Sequence, residues 1–253
     1  MTDVPLIDFL GLPISDLDAR QAASCIAARP PSAPFAYVVT PNAQHIVGLA
    51  DGTGVWRRAY RGALLRLCDG HVVQPLAKWI LGLRLPRACG SDVTLLLVRD
   101  HIRPDDAIAV IGGNDRLEDA LRRRYGWAHL AVYNPPFGLL NDAAAQQACV
   151  DFIAAHPARY IFFTVGSPQS ELLASLAAER GGLTGIGLCV GGSLFFATDL
   201  VKRAPAWVRR VGLEGLFRLV QRPRSHFRRV FVESLPVVGL LLKARFGKAR
   251  ILP

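Results

Sequence analysis

The stretch AIAVIGGNDRLEDALRRRY, residues 107–125, decides the fold. Five apolar residues without polar alternation read as a short buried strand. Gly112-Gly113 makes the turn, and Asn114 or Asp115 can cap the helix that follows. The unit recurs: HLAVY (129–133) leads through the loop NPPFGLLN to the helix DAAAQQACVDFIAAH. RYIFFTV (159–165) meets Gly166-Ser167-Pro168, where Ser167 suits an N-cap and Pro168 the first position of the helix QSELLASLAAERGG. LTGIGLCV (183–190) ends at Gly191-Gly192. Upstream, AYVVT (36–40) precedes a helix after Pro41-Asn42, and LLRLC (64–68) reads as a strand ending at Asp69-Gly70. Strands alternating with helices of this length predict an α/β fold, a Rossmann-like, mostly parallel sheet covered by helices.

With 253 residues, 51% of them hydrophobic, the chain can bury a full core. Its longest apolar run, 235–242, falls far short of the roughly 20 residues of a membrane-spanning helix, and the acidic N-terminus does not resemble a secretory signal. A cytoplasmic protein is expected. The five cysteines are scattered, never as CxxC, and read as small core residues. Charge is the uneven property. Residues 1–199 carry 17 Lys+Arg against 18 Asp+Glu, whereas residues 200–253 carry 13 against 2. This divides the chain into a core, 1–200, and a basic amphipathic appendage, 201–253. A block so basic must face a polyanion: nucleic acid, an anionic membrane surface or a phosphorylated substrate. Within RAPAWVRRVGLEGLFRLVQRPRSHFRRV (203–230), Trp207, Val211, Leu213, Leu216, Phe217 and Val220 keep helical spacing. That stripe either packs on the core or lies on a bilayer, with arginines at lipid phosphates. No RNA- or DNA-binding module is recognisable and the aromatics fall on apolar stripes, so nucleic acid is not expected as a partner.

Ligands of an open parallel sheet sit beyond the carboxyl ends of its strands, where helix N-termini point free N–H groups. Thr40-Pro41-Asn42, Asp69-Gly70, Gly112-Gly113 and Gly166-Ser167-Pro168 are therefore the places to look. The dinucleotide GxGxxG, the phosphate-loop GxxxxGK[ST], HExxH and GxSxG are all missing. Asp16-Leu17-Asp18 has a spacing that can hold a divalent ion, but Ser15 and the helical pattern after it favour a helix cap with an acidic first turn. No metal site is expected there.

The motifs TPNAQHIVGLAD, CDGHVV, RACGSD, VIGGNDRLEDAL, TVGSPQSE, RAPAWVRRVGLEGLFRLVQRP and FRRV, taken in order and across nearly the whole chain, resemble the WecG/TagA/CpsF family of bacterial glycosyltransferases. The resemblance implies a metal-independent, inverting hexosyltransferase without cofactor. It would move a sugar from a UDP-sugar to a polyprenyl-diphosphate-linked acceptor in exopolysaccharide or other surface-polysaccharide synthesis, peripherally attached to the inner face of the cell membrane. Asp69 occupies the family's base position, and a carboxylate is ionised and ready to take a proton at neutral pH. Thr40 joins it as a catalytic candidate; Thr40 and Asn42 would line the sugar or acceptor pocket, and Arg87 matches the pocket arginine. Gly112, Gly113, Gly166, Gln169 and Glu171 would bind substrate at the turns. Arg203, Arg218 and Arg228 fall on family arginines and would stabilise the departing diphosphate, with Arg224 displaced by one position. Three departures lie near the site: Gln169-Ser170 stand where the family writes Lys-Gln, Glu214-Gly215 where it writes Glu-Trp, and Arg222-Pro223-Arg224-Ser225 where it writes Glu-Pro-x-Arg. A non-catalytic relative that binds a nucleotide-sugar or lipid is the rival these changes permit. Donor sugar, acceptor glycan and oligomeric state, a homo-oligomer included, stay open.

Overall fold

Strands β3 (Ala36–Val39), β5 (Ala107–Ile111), β7 (Tyr160–Phe163) and β8 (Ile186–Cys189) consist of continuous apolar residues because helices cover both faces of their sheet. The computed structural model describes residues 4–52, 54–202, 235–247 and 251. In it β4 (Leu65–Arg66) and β6 (His129–Tyr133) complete a six-stranded sheet, entirely parallel, in the order β4-β3-β8-β7-β5-β6. A separate antiparallel hairpin, β1 (Leu6–Phe9) with β2 (Leu12–Ser15), precedes it.

Alternation along each strand sorts the core into two layers. Tyr37, Val39, Ala109, Ile111, Ile161 and Phe163 face a layer made of α2 (Ala43–Ala50), α3 (Gly54–Gly62), α4 (Gly70–Leu76), α7 (Ala143–Ala155) and α8 (Gln169–Arg180). Val38, Ile108, Val110, Tyr160, Phe162 and Leu188 face α1 (Ala19–Ala27), α5 (Gly90–Asp100), α6 (Asp115–Tyr125) and α9 (Ser193–Ala197). A π-helical segment, Ala77–Leu81, continues α4. The final described helix, α10 (Pro236–Arg245), packs on α2 and the π segment, and its Val237 and Leu241 are fully buried in the first layer.

Three expectations shift. LLRLC pairs through only two residues, because β4 is an edge strand; beyond it the Arg66 N–H is taken by the Ser15 hydroxyl at 3.1 Å. Ser15 itself lies in β2, and Asp18 is the N-cap of α1, accepting from the Arg20 and Gln21 N–H groups at 2.8 Å each while Gln21 reaches back to close a capping box. Helix α8 starts at Gln169 with Pro168 as its cap residue, so Ser167 does not cap it. Four cysteines are buried, Cys25 is half-buried, and all five are free thiols. No helix among the described residues is long and apolar enough to cross a membrane.

Candidate active site

After β5 the chain turns to α6 in one helix layer; after the adjacent β7 it turns to α8 in the other. The two connections diverge, and a crevice opens between them at the carboxyl ends of the strands, the place where doubly wound sheets bind ligands. Its volume is about 570 Å³, and its lining includes Gly112, Gly113, Asn134, Phe137, Thr164 and Gln169. Phe137 is fully exposed at the lip. The Gln169 side-chain amide oxygen is buried and has no hydrogen-bond partner among the described residues. Asn114 is consumed locally, its side chain accepting from the Leu117 N–H at 3.0 Å to cap α6.

Gly112 holds the crevice open. Its φ is +97°, and a Cβ there would stand 2.8 Å from the Thr164 hydroxyl and 2.9 Å from the Val165 backbone nitrogen. Gly112→Ala is expected to cost about 1–3 kcal/mol of stability from the backbone alone. A thermal melt checks this, and an alanine variant melting with the wild type would refute it.

Three inter-strand spacings away, roughly 14 Å, β3 ends at Thr40. Its hydroxyl donates to the Cys189 carbonyl at 3.1 Å, and it is almost fully buried. Gly90, the first residue of α5, approaches so closely that a Cβ would lie 3.2 Å from the Thr40 hydroxyl. Asn42 caps α2, accepting from the His45 N–H at 3.3 Å. Asp69 stands at the N-cap position of α4, its own N–H bound to the Pro41 carbonyl at 2.9 Å, but its side chain makes no capping bond. The carboxylate is instead within hydrogen-bonding range of the Cys89 thiol, which Arg87 also reaches. Burial first, then the Asp69 charge and hydrogen bond, push that thiol far up, so it stays protonated. The Cys89 side chain makes no capping bond to α5, whose Asp92 and Val93 N–H groups bond to the Cys89 carbonyl at 2.9 and 3.0 Å. Thr40, Asp69, Arg87 and the α5 N-terminus thus lie together at one end of the sheet's rim. A larger hollow of about 730 Å³ lies over the second helix layer, and Arg87 is on its rim with Arg20, Asp92 and Arg99. It does not open at the strand ends, so topology favours the smaller crevice as the ligand site.

Between the two groups lies a buried polar cluster. Tyr60 of α3 bonds to His45 Nδ1 at 2.8 Å. Burial, and then the charges of Glu171, Cys189 and Asp69, hold its phenol protonated. Glu171, in the first turn of α8, is only 2% exposed and accepts from the Ser167 hydroxyl at 2.9 Å. Burial pushes its carboxyl up to about 7, opposed by a backbone hydrogen bond and by Ser167. Glu171 therefore reaches the turn after β7 and does not line the crevice, while Gly166, in that turn, is half-buried. His45 and Tyr60 inside α2 and α3, and Cys89 just before α5, carry no local pattern that marks them as functional; Phe137 had one signal, the Pro-rich loop between β6 and α7. Among the described residues no group of three or more His, Cys, Asp or Glu is gathered to hold a metal ion. Arg203, Arg218, Arg224 and Arg228 lie outside the described residues.

The family model described as "Glycosyl transferase WecG/TagA/CpsF family" matches residues 7–251, nearly the whole chain.

Proposed function

Because this chain belongs to the WecG/TagA/CpsF family of glycosyltransferases, which use a nucleotide-sugar donor and a lipid-linked acceptor in cell-surface polysaccharide synthesis, we propose that it moves a hexosyl group from a UDP-sugar to a polyprenyl-diphosphate-linked glycan. The transfer is a single displacement with inversion and needs no metal. The observation that carries this reading is the spacing of two groups on one sheet rim: the crevice between β5 and β7, and the Thr40–Asp69–Arg87 group beyond β8.

The nucleoside enters the crevice, with the exposed Phe137 ring offering a face for the base. The diphosphate crosses the ends of β7 and β8, and the sugar comes to rest near Thr40. The acceptor hydroxyl then attacks the anomeric carbon and gives its proton to the Asp69 carboxylate. As the new glycosidic bond forms, the bond from carbon to phosphate oxygen breaks, and UDP leaves with the electron pair and without needing a proton. Its charge is met by Arg87, by the positive N-terminal end of α5 and by the arginines of the appendage. Lodging the chain on the inner face of a membrane serves a lipid acceptor. Trp79 on the π segment and Phe246 beyond α10 are 83% and 72% exposed, and Lys78, Lys243 and Arg245 accompany them, a composition suited to an anionic lipid surface.

The test is a donor panel: purified protein, a series of UDP-sugars and a short lipid-diphosphate disaccharide, read by product mass with and without EDTA. One donor should give a product one hexosyl unit heavier at a rate EDTA leaves unchanged. No product with any UDP-sugar, or loss of turnover in EDTA, would remove the proposal.

A further inference from the structure

Glu171 is a buried carboxyl whose side-chain partner among the described residues is Ser167. It is 2% exposed, and its Oε2 lies 2.9 Å from the hydroxyl of Ser167. Ser167 belongs to the turn between β7 and α8; two residues before it Val165 lines the donor crevice, and two after it Gln169 does. An ionised carboxylate can only accept, so it commits the Ser167 proton to itself. A protonated carboxyl can donate to the Ser167 oxygen, and the serine proton is then free for another acceptor. The acceptor that the proposed function brings to this turn is a diphosphate.

Resting on that function, we propose that Glu171 is a positioning residue: by reversing its hydrogen bond with Ser167 it decides whether the serine proton is offered to the donor diphosphate, so that UDP binding takes up one proton from solvent. That proton adds to the Glu171 carboxylate, and no other bond is made or broken.

The surroundings suit such a switch. Ionisable groups come from the elements packed on α8: Tyr60 of α3 with His45 of α2 behind it, Cys189 of β8, Tyr37 of β3, and Cys149 and Asp151 of α7. Of the cations on this side, Arg58 and Arg180 are paired with Glu179 and Asp151 at the far end of the helix, and α3 also carries Arg57 and Arg61. Among the described residues no cation shifts the Glu171 carboxyl; burial raises it to about 7, where neutral and ionised forms exchange near physiological pH.

The experiment is calorimetric titration with UDP between about pH 6 and 8.5, in two buffers of different ionisation enthalpy, for wild type and Glu171→Gln. A glutamine amide donates to Ser167 at every pH, and the titration of UDP itself cancels in the difference. Wild-type affinity should fall below that of the variant by close to tenfold per pH unit above about 7, with uptake approaching one extra proton. Ser167→Ala should lose this pH-dependent part in the wild-type background, and Ser167→Thr should retain it, which keeps the test decisive should the Gln variant fail to fold. Parallel pH profiles for wild type and Glu171→Gln, or for Ser167→Ala and Ser167→Thr, would overturn the inference while leaving UDP binding intact. A wild-type chain that binds UDP at no pH would overturn both this and the donor assignment.

Discussion

Asp69→Asn is expected to lower kcat by roughly 10²- to 10⁴-fold, the usual contribution of a positioned general base, with the KM for the UDP-sugar little changed. The substitution isolates the chemistry. Asparagine has the same shape and can still accept from the Cys89 thiol, but it has no charge with which to take the acceptor's proton. The backbone bond from residue 69 to the Pro41 carbonyl does not involve the side chain, and no helix cap is lost, since the carboxylate makes none. Fold and donor binding should therefore survive. The measurement is UDP release with lipid acceptor present, alongside UDP affinity by titration. Equal release by the two proteins would remove Asp69 as the base; a fall in affinity as large as the fall in rate would make it a binding residue instead.

Gly185→Ala should be the most damaging small substitution in the sheet. Gly185 precedes β8 with φ at +88°, and an added Cβ would fall 2.0 Å from the Ala158 carbonyl oxygen and 3.1 Å from that of Arg159. These are backbone atoms at the entry to β7. Gly185 has little freedom to retreat, because its N–H bonds to the Ala33 carbonyl and its own carbonyl accepts from Ala36, each at 3.3 Å, while the next residue bonds to Arg159 at 3.0 Å. Relief requires separating β8 from β7 or β3, the centre of the sheet. A loss of about 4 kcal/mol or more is expected, a drop in Tm of roughly 10 °C for a chain of this size, or failure to accumulate as soluble protein. Gly54→Ala, where an added Cβ meets nothing within 4 Å, is the control and should stay within about 0.5 kcal/mol. A Gly185→Ala protein that melts with the wild type would mean that these strands separate more easily than their hydrogen bonds suggest.

The strands AIAVI, YIFF and IGLC were legible because a parallel strand buried on both faces must be apolar throughout, and the turns after them because glycine alone relieves a positive φ. The hairpin LIDF and LPIS was not: four-residue strands, one containing Pro13, carry too little periodicity. Ser167 reads locally as a helix cap, yet its hydroxyl serves Glu171, because burial leaves that carboxyl dependent on the nearest donor. Strand-end topology pointed to Thr40 and Asp69, and only the family resemblance gave them roles and named Arg87.

By itself the sequence determined the α/β class, the rim on which ligands sit, and the chemical character of the chain's basic end, since each follows from local pattern or from charge. Only the tertiary structure decided that β5 and β7 are neighbours whose helices part to opposite faces, and that Glu171 is sealed beside Ser167. Strand order and side-chain desolvation depend on which distant segments pack together, and no periodicity along the chain encodes that.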